Sequence, residues 1–401
     1  MTAVLPLRAG GFQLYYYSLR LMGMGHAGTG LALDAAAAYY NPGAMPFLPQ
    51  RREVQFGTTF TRRATTFLAP FSTQTVETEP SYLTPIHFYT TWKGRPQTRR
   101  ERLAFGLSVN NPYVASVQWP DTWQGRFISQ DFLINTVFIQ PTMSYRLTPR
   151  LGLGLGLMYG LGTISIRKAI NISGVNGSAS SAQLTGTGYG VGLNAGLYYQ
   201  VKDHLALGLS YRSPLRIGIP EGIARFNVPE SLAEAYPDLA FETHIPLPDV
   251  LNAGLSVRPE QRLLLTFDLN LNFWQRLDSL HIDLERTVPH MQYDPALQYR
   301  NTWNLRMGGE YLLTEHWTLR GGWYYDQSPV QAGYLSPALP DADRIGLCGG
   351  AGLRLWRSLS IDLAVSFEFT GERTGSLHAA NFAGTYETNT LAAGLGIAYA
   401  W

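Results

Sequence analysis

Beyond about residue 51 the chain alternates with period two, segment after segment, to its end. The final stretch shows the pattern plainly. Leu391, Ala393, Leu395, Ile397, Tyr399 and Trp401 are apolar or aromatic, and Ala392, Gly394, Gly396, Ala398 and Ala400 between them are small. Successive strand side chains point to opposite faces, so this segment has one greasy face and one nearly bare face. An aromatic residue at the very end suits a strand whose outer face meets lipid and whose tip lies at headgroup level.

The same alternation marks strands centred on Val54–Phe60, Thr84–Trp92, Leu103–Val109, Phe132–Tyr145, Leu151–Ile166, Leu184–Tyr199 and Leu205–Leu215. It continues in Val250–Val257, Leu263–Phe273, Trp303–Leu313, Trp317–Tyr325, Ile345–Leu355, Ile361–Phe369 and Leu391–Trp401. These are fourteen segments, an even number, as a closed antiparallel membrane barrel requires. Short connections (Leu147–Arg150, Lys202–His204, Arg258–Gln261, Thr314–His316, Arg357-Ser358) alternate with long polar ones near 64–81, 111–130, 167–181, 217–246, 274–300, 327–343 and 370–387. Short periplasmic turns and long outer loops give that asymmetry, whereas a soluble sandwich does not. The expected fold is therefore all-β, a transmembrane barrel of about fourteen strands occupying 51–401.

Parity assigns the faces. In Leu263–Phe273 every odd position is Leu or Phe, and the even ones include Thr266, Asp268, Asn270 and Asn272. Arg306, Glu310, Arg320, Arg354, Asp362 and Glu368 share the inner side. Charges facing lipid near the midplane cost several kcal/mol each, so the lumen is their place. Residues 10–50 break the pattern. They are rich in Gly, Ala and Tyr, with a short helix expected over Leu33–Tyr40 and prolines at 42, 46 and 49. An apolar segment ahead of a barrel has a natural home inside it, as a plug. Residues 1–9 (MTAVLPLRA) read as the tail of a signal peptide; the plainer reading is an irregular N-terminus.

Composition agrees. Charged residues make up 15% of the 401, against about 25% in soluble proteins. No stretch reaches the ~18 unbroken apolar residues of a spanning helix. A net charge of +2 with no dense basic patch argues against a nucleic-acid partner. The lone Cys348 allows no intrachain disulfide and reads as an inward structural thiol. His26, His204 and His316 lack metal spacing. Gly186–Gly190 is glycine-rich, but its strict alternation makes it strand rather than a phosphate loop. No Ser-His-Asp spacing points to a hydrolase, so no catalytic residue, metal or cofactor is expected.

Several stretches resemble the FadL-type outer-membrane transporters of long-chain fatty acids and hydrocarbons. They are Gly10–Leu14, Gly23–Gly28, Asp34 and Tyr40–Met45, then Trp119–Phe127, Tyr211–Pro214, Leu247–Val250, Tyr325–Val330 and Pro340–Arg344. They follow one another in the family's order over nearly the whole chain. The resemblance implies a monomeric fourteen-stranded barrel in the bacterial outer membrane, in contact with its lipid and lipopolysaccharide, with residues 10–50 as an N-terminal hatch. It also implies capture of a hydrophobic small molecule (fatty acid, hydrocarbon or detergent) at the outer side, hatch-gated passage and sideways exit at a kink in the third strand. The family's Asn-Pro-Ala hatch motif falls on Asn41, Pro42 and Gly43, so the third position departs. The kink glycine falls on Gly106. Arg300 stands where the family places a basic pocket residue for a carboxylate headgroup; Arg306 and Arg167 are weaker candidates. The loop near 167–181 is shorter than in the best-known members, and the later loop keeps a helix candidate at Glu230–Tyr236.

Tyr15, Tyr16, Tyr17, Leu19, Leu21, Met22 and Met24 are candidates for adaptable apolar pocket surface. Equally, they could pack the plug against the wall. Lumen arginines more often pair with lumen acids such as Glu310 or Asp268 than wait for a ligand. The competing functional reading is a structural or partner-binding barrel of a secretion or assembly complex.

Overall fold

The computed structural model describes residues 11–94, 101–171, 180–277, 279–286 and 297–401. The signal-peptide reading of residues 1–9 lies outside them. Fourteen strands form one closed antiparallel circuit: β1 (Arg52–Leu68), β2 (Ile86–Lys93), β3 (Leu103–Asn110), β4 (Asp131–Arg146), β5 (Leu151–Ala169), β6 (Ser181–Lys202), β7 (Leu205–Arg212), β8 (Val250–Glu260), β9 (Leu263–Asn272), β10 (Thr302–Leu312), β11 (Trp317–Asp326), β12 (Arg344–Arg354), β13 (Leu359–Thr370) and β14 (Phe382–Ala400). Each pairs with the next, and β14 returns to β1 from Glu53↔Ala400 to Leu68↔Thr385. Among the described residues this closure pairs every one of the fourteen strands on both sides, so most backbone groups facing hydrocarbon are satisfied within the ring.

The parity reading holds. Leu265, Phe267, Leu269 and Leu271 of β9 are exposed outward, while Leu264, Thr266, Asp268, Asn270 and Asn272 are buried inward. Cys348 faces inward, its Sγ 3.4 Å from Ser366 Oγ. The barrel is not hollow. Nearly every side chain from Gly11 to Leu48 is buried within the ring.

Three sequence expectations change. The helix expected over Leu33–Tyr40 is a single turn, Ala37–Tyr40, followed by a 3-10 segment Pro42–Phe47 in which Pro42 stands first and Asn41 caps. The link at 217–246 is mostly strand: Leu215–Asn227 and Leu239–Leu247 form a hairpin that carries the wall upward on β6. The helix expected at Glu230–Tyr236 shrinks to a 3-10 turn, Glu230–Leu232, at the hairpin's tip. Alternating apolar positions such as Ile217, Ile219, Phe241 and Ile245 gain more by packing inward than by joining a polar loop.

Candidate functional site

The lumen has two zones, and the sequence sets them apart. On the inner face of β4, Phe132, Ile134 and Phe138 lie toward the long loops, and Gln140, Thr142 and Ser144 lie toward the short turns. The polar zone is a seat for the plug. Gln140 Nε2 donates to Ala38 O at 2.7 Å, Asn194 Nδ2 to Tyr39 O at 2.8 Å, Ser144 Oγ to Pro42 O at 2.5 Å and Ser256 Oγ to Gly30 O at 2.7 Å. Asp268 accepts from the Gly28 and Thr29 amides at 2.9 and 2.8 Å. The plug has little regular structure, so its buried backbone groups need partners from the wall. Those partners are the polar inward positions of the strands.

Close approach explains the bare inward face noted in the sequence. A side chain at Gly308 would strike Met24, one at Gly322 would strike Gly25, and one at Gly154 would strike Pro42. Asn41 and Gly43 lie in close contact with the wall. Asn41 is fully buried; its Oδ1 accepts from Gly43 N at 3.0 Å, and its Nδ2 donates to Thr29 O at 2.8 Å and Leu197 O at 3.0 Å. Gly43 is wedged against the wall: a Cβ there would lie 2.8 Å from Gly196 O and Tyr198 N and 2.9 Å from Gly152 O.

Ion pairs fasten the short-turn side of the plug. Arg20 meets Glu310 at 2.6 Å and lies 3.8 Å from Asp34, and Glu310 and Asp362 meet Arg320 at 2.8 and 2.6 Å. This network lines a cavity of about 420 Å³ with Glu53, Arg258 and Arg262. Its walls are too charged for a hydrocarbon tail. Higher up, His26 is enclosed by the rings of Tyr15, Tyr16 and Tyr324. Burial, with Arg306 nearby, holds its imidazole well below the usual histidine range and therefore neutral.

The apolar zone contains a slot lined by Phe12, Phe132, Ile134, Ile245, Leu277 and Leu297 among others. At about 30 Å³ it has room for no more than one or two waters. Phe12 is its floor and packs edge-on to Trp274 at 5.2 Å and Tyr113 at 5.9 Å. The backbone around Phe12 is held by the third strand. That strand breaks at Asn111-Pro112-Tyr113 and resumes as Val114–Gln118. At the break, Leu14 N donates to Pro112 O at 2.9 Å, Val114 N to Phe12 O at 3.2 Å, and Gln13 and Tyr113 form a β-bridge. Pro112 has no amide proton, and Asn111 turns its side chain to Thr136 O at 2.9 Å and Ile86 N at 3.1 Å, so the ladder from β2 to β3 stops there.

The candidate residues fall in different places. Gly106 lies in unbroken ladder between Thr91 and Thr142 and faces Met45 and Ala38 of the plug; the break is five residues beyond it. None of Tyr15, Tyr16, Tyr17, Leu19, Leu21, Met22 and Met24 lines the apolar slot. Leu19 and Met22 pack on the wall beside Ala364 and Ala392, and Tyr15 and Tyr17 border a polar crevice with Arg212 and Arg306. Arg306 is buried and bound to Asp326 Oδ1 and Asn270 Oδ1, both at 2.7 Å, so its acid is Asp326 rather than Glu310 or Asp268. Arg167 pairs with Asp121 at 2.8 Å and with Asp131 at the rim of the long-loop end. Arg300 follows Leu297 of the slot by three residues, and its Nε donates to Ser328 O at 3.2 Å. Phe12, Trp274 and Tyr113 were missed by the sequence reading. The available signal was the set Phe132, Ile134 and Phe138 at inward parity on β4, interrupted by Thr136, where a plug seat would be polar throughout.

A family model described as outer membrane protein transport protein (OMPP1/FadL/TodX) matches residues 3–401. A long-chain fatty acid transport protein of Salmonella typhi is 24% identical over 291 residues, covering 67% of this chain and 66% of the relative. Outer membrane protein P1 of Haemophilus influenzae is 24% identical over 295 residues, covering 67% of this chain and 63% of that one. The chain thus spans about two thirds of these relatives' length. The crystal structure of a Pseudomonas aeruginosa FadL homologue superposes with a TM-score of 0.84 at 21% identity, covering 97% of this chain and 99% of that one. The Ralstonia pickettii toluene transporter TbuX gives 0.70 at 15%, covering 98% and 99%. These likenesses show the fold.

Proposed function

Since the chain belongs to the OMPP1/FadL/TodX family of outer membrane transport proteins, we propose that it carries hydrophobic small molecules, fatty acids or hydrocarbons, across the outer membrane. The ligand is captured at the long-loop end, passes the hatch and leaves sideways at the break in the third strand. One observation carries the reading: Phe12 closes the apolar slot while its own backbone fills the break. A molecule that enters the slot must displace Phe12, and displacing Phe12 withdraws the hydrogen bonds that seal the wall. Each methylene buried in the slot contributes about 0.8 kcal/mol, which offsets the two backbone bonds released, each worth about 1 kcal/mol net. Exit into the membrane suits the cargo, because the cavity on the short-turn side is charged.

A structural or partner-binding role draws support from the filled lumen, but it gives no reason for a strand broken where the plug's apolar floor rests. The test is a reversible lock. Gln13→Cys with Tyr113→Cys, in a Cys348→Ser background, places two thiols across the bridge, within the reach of a disulfide. The oxidised barrel should bind detergent-like ligands weakly and fail to deliver a labelled fatty acid or toluene to cells lacking other such carriers. Reduction should restore both. Equal delivery by oxidised and reduced forms would overturn the gating route, and absence of binding by any ligand from fatty acids to uncharged aromatics would overturn the transport reading.

A further inference from the structure

The inward positions of β7 are Ala206, Gly208 and Ser210, all small, and then Arg212. Arg212 is only 6% exposed. Four other arginines of the lumen, Arg20, Arg306, Arg320 and Arg344, each meet a carboxylate. Arg212 meets none. Among the described residues it forms no ion pair and no hydrogen bond, and its guanidinium carbon lies over the Tyr39 ring, 4.8 Å from the centroid. Its partner across the ladder, Val250, follows Asp249, but that acid is held by Arg276 at 2.7 Å. A guanidinium taken from water without a counter-charge destabilises a fold, so a position that keeps one points to a partner that arrives.

Arg212 borders a crevice between plug and wall with Tyr15, Tyr17, Tyr40, Asp268 and Arg306. At about 10 Å³ the crevice holds one water at most. Two further donors on it, Nη1 of Arg306 and the hydroxyl of Tyr40, also have no hydrogen-bond partner among the described residues. The acid on the crevice, Asp268, serves the plug: its Oδ2 accepts from the Gly28 and Thr29 amides, and only its Oδ1 is without a partner among the described residues. Donors therefore outnumber acceptors here. A run of rings joins this spot to the proposed exit. Tyr39 packs edge-on to Tyr17 at 4.9 Å, and the Tyr17 hydroxyl donates to Pro112 O at 3.5 Å, at the break in the third strand. The next residue, Tyr113, packs on Phe12 of the apolar slot at 5.9 Å.

Resting on the transport reading above, we propose that Arg212 is an inner station for the anionic head of the cargo. Once Phe12 and the plug move aside, the carboxylate of a fatty acid meets the Arg212 guanidinium while its tail lies against the tyrosine rings. A planar guanidinium binds a carboxylate through two parallel hydrogen bonds, and in a dry aromatic surround that contact is strong. An uncharged hydrocarbon makes no such contact. Arg212 is thus a residue that sets which cargo moves fast, distinct from Arg300 beside the slot.

Delivery of labelled dodecanoate and of toluene would be compared in cells lacking other such carriers, per folded barrel as judged by heat-dependent gel mobility. Arg212→Gln and Arg212→Met should each slow dodecanoate about tenfold or more, the loss of a charged hydrogen bond, and leave toluene unchanged. Arg212→Lys keeps the charge and should retain more of the dodecanoate rate than either. Equal slowing of both cargoes, or of neither, overturns the proposal. So does a Lys variant no better than the neutral ones, which would assign the effect to shape. If one neutral variant misfolds the other decides, and failure of both to fold would make Arg212 a structural residue. A wild type that delivers neither cargo sinks the transport reading and this proposal together; one that delivers toluene alone sinks this proposal only.

Discussion

The guanidinium carbon of Arg306 stands 3.5 Å from the centre of the Tyr15 ring. One face of the group is covered by the plug, and its edge is bound to Asp326 and Asn270 of the wall. Arg306 thus joins Tyr15 of the N-terminal segment to Asp326 and Asn270 of the wall. Removing one member of a buried pair leaves an uncompensated charge, at a cost of about 3–5 kcal/mol. Arg306→Gln should therefore lower the unfolding midpoint in detergent markedly. Ligand binding per folded molecule should not discriminate between a fatty acid and a hydrocarbon of equal length. Selective loss of the carboxylated ligand would restore Arg306 to a headgroup role.

Gly43 carries the opposite lesson, since here the chain departs from its family's alanine. With a Cβ meeting two strand carbonyls and an amide below 3.0 Å, Gly43→Ala must push the 3-10 segment off its seat. Overpacking of this kind costs about 1–3 kcal/mol. Hydrogen exchange of the amides of residues 41–48 should accelerate while β5 and β6 stay protected. Unchanged exchange would mean that the seat yields without strain.

Arg300 keeps its candidacy by position, close to Leu297 of the slot. If it meets a carboxylate there, Arg300→Ala should weaken binding of a fatty acid about tenfold or more, the loss of a charged hydrogen bond, and leave an uncharged hydrocarbon unaffected. Calorimetry with a matched pair of ligands decides it, and equal losses for both would remove Arg300 from the site.

Asp343 ties the outer loop at 327–343 to the wall. It accepts from Ser328 N at 2.7 Å and from the Tyr325 hydroxyl, yet burial pushes its carboxyl up to about 7. The folded value is raised above the ordinary 3.8. Its contribution to docking the loop is therefore complete below about pH 4 and is lost as pH rises through about 7. After correction for intrinsic rates, exchange in 327–343 should be slower at pH 5.5 than at pH 8, and Asp343→Asn should flatten the difference. A wild-type loop equally protected at both pH values would contradict this.

How much could be read beforehand differs between wall and site. The strands were legible because lipid outside and plug inside impose opposite demands on alternate residues. Leu265 and Asp268 cannot exchange faces without a large cost. The hairpin at 217–246 was misread because its apolar residues pack on the barrel mouth, a partner invisible along the chain. The helix expected at Leu33–Tyr40 failed for a related reason. Inside the barrel, wall groups such as Asn194 and Gln140 satisfy the backbone of Ala38 and Tyr39, so a longer helix is not required there.

Sequence by itself determined that this protein is a membrane barrel and which side chains face lipid, and it led to the expectation that its N-terminal residues belong inside. Period-two alternation and the solvation of charge are local facts that any stretch of chain displays. Only the tertiary structure decided that wall side chains such as Gln140 and Asn194 satisfy the backbone of Ala38 and Tyr39, that Arg306 answers Asp326, and that Phe12 lines the slot while its carbonyl bonds Val114 beyond the break in the third strand. Each of these joins residues tens to hundreds of positions apart, and such distances are set by ring closure and packing rather than by any neighbour in the chain.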